Sequence, residues 1–144
     1  MRIFRVGLLA ATVLAVLAVS ATAAPQKSYF TFKAQGGLVQ CGIFVGGTYS
    51  ESLLRCDIRT GLKPKVKRPK GCHFDYGSTL ELRGTGRAFP GCVSDAVGRI
   101  QMTLGYGRTY KKGPFTCTST RAGLTCRNTA RHGFFLSKSA WRRV

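Results

Sequence analysis

Acidic residues are scarce in this chain: 5 Asp and Glu stand against 23 Lys and Arg in 144 residues. The five, Glu51, Asp57, Asp75, Glu81 and Asp95, are scattered. A calcium site built from several carboxylates would take most of that supply. A glycosidase pair such as Glu81 with Asp95 has no spacing that argues for it. Only two histidines occur, His73 and His132. There is no G-x-S-x-G elbow, and no C-x2-C pair of the kind that holds zinc. The gaps between successive cysteines are 14, 15, 19, 24 and 8 residues, none of them a zinc-knuckle spacing. No apolar run after residue 24 is long enough to span a bilayer, and nothing repeats at helical spacing over a useful length. No metal and no cofactor are expected.

What is present begins with an address. Arg2 and Arg5 form a positive start, Gly7 to Val19 is apolar, and Ala21 and Ala23 give the small-residue pattern that signal peptidase accepts. Residues 1–24 are therefore expected to be a cleaved signal peptide. The mature chain keeps 21 Lys and Arg and 5 Asp and Glu, a net charge of +16. Six cysteines, Cys41, Cys56, Cys72, Cys92, Cys117 and Cys126, in an exported chain read as disulfides. Many connectivities are open; the sequential one, Cys41–Cys56, Cys72–Cys92 and Cys117–Cys126, is favoured because each pair can flank one hairpin.

Strand-like stretches recur between glycines. They are Ser28–Lys33, Leu38–Val45, Ser52–Ile58, Thr79–Arg83, Arg99–Leu104, Phe115–Ser119, Leu124–Asn128 and Gly133–Ser137. Thr79–Arg83 and Arg99–Leu104 alternate apolar and polar residues, as half-buried strands do. The expected fold is a small, antiparallel, disulfide-stapled all-β domain over residues 25–144, with barrel and sandwich both open. Residues 61–71, Gly-Leu-Lys-Pro-Lys-Val-Lys-Arg-Pro-Lys-Gly, carry five basic residues and two prolines. They read as an extended, exposed loop between two β halves.

Cys72-His-Phe-Asp-Tyr-Gly77, Leu104-Gly-Tyr-Gly107, Phe115-Thr-Cys-Thr-Ser119, Gly123-Leu-Thr-Cys-Arg-Asn128 and His132-Gly-Phe-Phe-Leu-Ser137 follow in that order. With Arg55-Cys56-Asp57-Ile58, they resemble a family of small exported bacterial proteins grouped as a domain of unknown function. The resemblance runs over about residues 30 to 144 and is most specific from Phe115 onward. Gln35-Gly36-Gly37 stands where the family tends to show a Ser-Pro-Ser-Gly-Asn-like turn, and the Lys/Pro loop is this chain's own. The resemblance implies an exported, disulfide-bonded β domain and transfers no catalytic residue.

The candidate chemistry is thin. His132 lies beside a glycine and two aromatics, where it reads as an acid–base or anion contact, or as a turn residue bonded through its ring to a carbonyl. His73 and Asp75 would share a face if both were in a strand. The basic residues are the clearest property. Lys63, Lys65, Lys67, Arg68 and Lys70 form one cluster; Arg108, Lys111 and Lys112, near Tyr106 and Tyr110, form a second; Arg142 and Arg143 follow Trp141. Basic and aromatic residues together suit a polyanion. The expectation is a secreted or envelope-associated, non-catalytic, monomeric module that binds an anionic envelope polymer or surface, and nucleic acid only non-specifically. The alternative is a secreted hydrolase, ribonuclease-like, using His132 and His73.

Overall fold

A computed structural model describes residues 27–48 and 50–144; the signal peptide expected over residues 1–24 lies outside them. The eleven strands are β1 (Ser28–Ala34), β2 (Val39–Val45), β3 (Leu53–Ile58), β4 (Asp75–Arg83), β5 (Phe89–Val93), β6 (Met102–Thr103), β7 (Arg108–Lys112), β8 (Phe115–Ser119), β9 (Leu124–Arg127), β10 (Gly133–Leu136) and β11 (Trp141–Arg143). One 3-10 turn, Gln35–Gly37, joins β1 to β2. The strands form two open sheets, one ordered β5-β4-β3-β2-β1-β6 and the other β11-β10-β9-β8-β7. All pairings are antiparallel except β1 with β6. The chain is all-β, as its alternation predicts. Among the described residues no helix is long and apolar enough to cross a membrane.

Strand β3 shows how the alternation works. In Leu53-Leu-Arg-Cys-Asp-Ile58, Leu54, Cys56 and Ile58 are buried, while the residues between them face outward. The inward residues of both sheets join one core, with Phe32, Ile43 and Leu54 from the first and Phe115, Phe134 and Leu136 from the second. Phe32 of β1 meets Tyr110 of β7 edge-on, with ring centroids 5.9 Å apart, so the two sheets touch directly. Each such buried side chain stabilises the fold by roughly 1.5–3 kcal/mol.

The three disulfides join Cys41–Cys56, Cys72–Cys92 and Cys117–Cys126, the sequential pairing. Cys41 lies directly opposite Cys56 in the β2–β3 ladder, and Cys117 directly opposite Cys126 in the β8–β9 ladder. Each sheet therefore has one crosslink on its inner face, and all four sulfur-bearing residues are fully buried. Cys72–Cys92 differs: Cys92 is exposed, and the bond ties the end of the Lys/Pro segment to β5.

Three expectations need correction. The Lys/Pro segment does not separate two β halves, because β3 and β4 on either side of it are paired neighbours in one sheet. Nor is it simply exposed. Leu62 is buried, Val66 packs on the core, and Leu62 N–H donates to Gly77 O at 2.7 Å. Apolar residues anchor the segment while its lysines face solvent. Arg99–Leu104 contributes only Met102 and Thr103 to a strand, paired parallel to β1. Finally β5, β7 and β11 are strands where none was expected.

The crosslinks generate a prediction. Replacing Cys41 and Cys56 together by alanine is expected to lower unfolding free energy by about 3 kcal/mol from loop closure, plus a cavity term. The same change at Cys72 and Cys92 lacks the full cavity term and should cost less. Urea titration of the two variants checks the order.

Candidate functional site

Three of the five carboxylates, Asp57, Asp95 and Glu81, gather around Arg55. Arg55 and Asp57 project from the outer side of β3, and in the ladder with β4 they face Glu81 and Thr79. Arg55 Nε and Nη2 donate to the two oxygens of Asp57, both at 2.9 Å, and Nη1 donates to Asp95 Oδ1 at 2.7 Å. Thr79 Oγ1 donates to Asp57 Oδ1 at 2.8 Å, and Val97 N–H to Asp57 Oδ2 at 3.2 Å. Each oxygen of Asp57 thus accepts two hydrogen bonds, which fills its capacity and leaves nothing for proton abstraction. This accounts for the Arg-Cys-Asp-Ile segment: Cys and Ile enter the core, while Arg and Asp form a planar fork that fastens the 95–97 segment to the sheet. Burial works against the charge on Arg55, but hydrogen bonds and charge from Asp57 and Asp95 outweigh it and hold its pKa above the ordinary value. Burial pushes Glu81 above the usual carboxylate range, partly opposed by Arg55 and Arg83. Asp57, Asp75 and Asp95 line a shallow groove of about 610 Å³ here.

The expected pairing of His73 and Asp75 does not form. Strand β4 begins at Asp75, and His73 lies before it in an exposed turn. Arg68 donates to the carbonyls of Cys72 and Phe74, and the Cys72–Cys92 bond holds the same turn. Residues 72–74 are thereby kept out of the ladder. His132 is half-buried, but its backbone does the bonding: its N–H donates to Asn128 Oδ1 at 3.0 Å and its carbonyl accepts from Asn128 N–H at 2.8 Å.

His132 lines a concavity of about 290 Å³ with Arg87, Arg131, Gly133, Arg143 and Val144. His73 is not part of it. Buried Asn128 builds this place. Its Nδ2 donates to Arg83 O and Gly86 O, both at 2.8 Å, which clamps the β9–β10 turn onto the β4–β5 turn. Sequence reading missed Arg87 and Arg131 and saw Arg143 only as part of the chain end. Arg87 and Arg131 are 44 residues apart, and nothing in the sequence announces that one asparagine joins their turns.

The basic clusters separate. Arg108, Lys111 and Lys112 belong to β7, one edge of the five-stranded sheet, and Lys112 Nζ sits 3.5 Å above the Phe30 ring. The cluster of Lys63, Lys65, Lys67, Arg68 and Lys70 reaches the opposite edge. Trp141 of β11 donates its N–H to Lys63 O at 2.8 Å and its indole Nε1 to Pro64 O at 3.1 Å. Arg143 lies 5.8 Å from the Trp141 ring and lines the concavity. One band therefore runs from the Lys/Pro segment along β11 to Arg87 and Arg131. Both ion pairs among the described residues belong to Arg55, so no carboxylate side chain pairs with this band. No group of His, Cys, Asp and Glu among the described residues could hold a metal.

The chain matches the model of the Family of unknown function (DUF6636) over residues 9–143 and belongs to that family. No curated protein and no solved structure matches it.

Two predictions follow from the Arg55 cluster. Asp57→Asn leaves Asp95 as the one carboxylate bonded to Arg55 and is expected to cost about 1–3 kcal/mol in denaturant titration. Glu81→Gln acts in the other direction. With its folded pKa raised, ionised Glu81 costs stability at neutral pH, and that cost vanishes as pH falls below the unfolded glutamate value of about 4.3. The variant should therefore be slightly more stable than the parent at pH 7 and equal to it in acid, as thermal unfolding at the two pH values will report.

Proposed function

We propose that this family member is an exported, non-catalytic β module that holds an anionic polymer or surface of the cell envelope along its basic band. The observation that carries this reading is the continuity of the band. Lys63, Lys65, Lys67, Arg68 and Lys70 lead through Trp141 to Arg143, Arg131 and Arg87, and among the described residues no acidic side chain pairs with any of them. Uncompensated cations on a rigid edge raise the local concentration of anions and attract polyanions strongly at low salt. Phe74 is 57% exposed beside Arg68 and adds a flat apolar face next to charge, a combination that grips polymer chains by stacking as well as by charge. Three disulfides suit an oxidising environment. The hydrolase reading needs two imidazoles acting on one bond, and His73 lies outside the concavity that His132 lines.

Co-sedimentation of the oxidised mature chain with cell envelopes, eluted by a salt series, tests the reading. The parent is expected to bind at low salt and to be released as salt rises. Replacing Lys63, Lys65, Lys67, Arg68 and Lys70 by glutamine should lower the releasing salt concentration and flatten the salt dependence. Absence of sedimentation by the parent at low salt would refute the proposal, and an unchanged elution point would remove the Lys/Pro segment from it.

A further inference from the structure

We infer that the concavity lined by Arg87, Arg131, His132 and Arg143 is a subsite for one phosphoryl group, the point at which the basic band recognises chemistry as well as charge. The inference rests on the polyanion reading and specifies the ligand class of that surface.

Three separate segments supply the cations: Arg87 from the β4–β5 turn, Arg131 from the β9–β10 turn and Arg143 from β11. Each is held by its backbone or by a fixed bond. Asn128, only 6% exposed, fastens the first two turns together. Arg131 N–H donates to Asn128 O at 3.0 Å, and Arg127 Nη1 donates to Arg131 O at 3.2 Å. Arg143 Nε donates to Ala88 O at 2.6 Å, next in sequence to Arg87. That bond uses Nε and leaves the terminal nitrogens without a hydrogen-bond partner among the described residues. Arg131 also adopts φ +63°, a left-handed conformation that glycine or asparagine takes at less cost. A long cationic side chain stands there nonetheless, as strained residues do at binding sites.

The opposing charge is a single one. Among the described residues no Asp or Glu lines the concavity; the terminal carboxylate of Val144 does, with one oxygen accepting from Gly133 N–H at 2.9 Å, and three arginines stand against it. At about 290 Å³ the space lies at the lower limit for ligand sites, room for one anionic group of a larger ligand. A carboxylate offers two oxygens in one plane, and one guanidinium fork satisfies it. A phosphoryl group offers oxygens in several directions and so matches guanidinium groups arriving from three segments.

The test uses the oxidised, 15N-labelled mature chain, with amide and arginine side-chain resonances followed during titration. Inorganic phosphate is the probe, with sulfate and acetate as comparisons. Phosphate is expected to move Gly133, Arg131 and Arg87 first and to bind more tightly than acetate. Arg87→Gln and Arg131→Gln should each weaken phosphate by about tenfold, while Lys33→Gln, at an exposed position of β1 outside the band, should leave it unchanged. Arg87 is exposed on a turn, so that variant tests the site even if Arg131→Gln unfolds. Glycerol phosphate and a glycerol phosphodiester then separate a terminal phosphate from one within a chain. Shifts spread equally over the surface lysines, acetate binding as well as phosphate, or full phosphate affinity in both arginine variants would each overturn the subsite. If long-chain polyphosphate is still retained by the parent, only the subsite has failed; if it is not, the polyanion reading has failed with it.

Discussion

The fork between Arg55 and Asp57 governs the charge distribution of the whole chain. It sits in the middle of the six-stranded sheet, takes a second carboxylate from Asp95, and has Glu81 across the ladder. A single outward-facing arginine thereby gathers most of the acid the protein has. Two consequences follow. The 95–97 segment is held against the sheet by hydrogen bonds from Arg55 and Val97, which closes one region of surface. The remaining Lys and Arg residues are left with almost no acidic neighbours, so the other surfaces carry charge that only solvent ions or a ligand can balance.

Against that repulsion stand a shared core and three crosslinks. The two in-register disulfides lie within the cores of their own sheets, where burial reinforces the bond and the bond fixes the ladder. The third works at the surface and steadies the turn from which His73 and Phe74 project. Asn128 does by hydrogen bonding what the cysteines do covalently, joining two turns far apart in sequence. The arginine-lined concavity exists because of that joint.

How much of this could be read from the sequence depended on where each strand lies in its sheet. The strands β1 to β4 and β8 to β10 were legible because each has a face in the core and shows it as alternation or an apolar run. Strands β5, β7 and β11 were not, and all three are sheet edges. An edge strand needs only one hydrogen-bonding partner, so it accepts Pro90 in β5 and the charges of Arg108-Thr-Tyr-Lys-Lys112 in β7. Those are the residues that read as loop. The same blindness hid the candidate site. Lys63 to Lys70 are contiguous and visible, whereas Arg87, Arg131 and Arg143 become neighbours only through β11 pairing and the Asn128 clamp. The Arg-Cys-Asp-Ile strand was noticed as a resemblance, but its reason, a fork outside and a crosslink inside, needed the ladder register.

The edges have a further meaning under the proposed polymer-binding reading. Adsorption raises local concentration, and crowded β proteins fuse through unpaired strand borders. Here one border is a strand containing proline, another is only two residues long, a third carries three cations among five residues, and the last ends in two arginines. Neighbouring copies packed along an anionic chain would find no template for joining sheets. Their assembly would stay an arrangement of separate molecules, reversible when the polymer is removed.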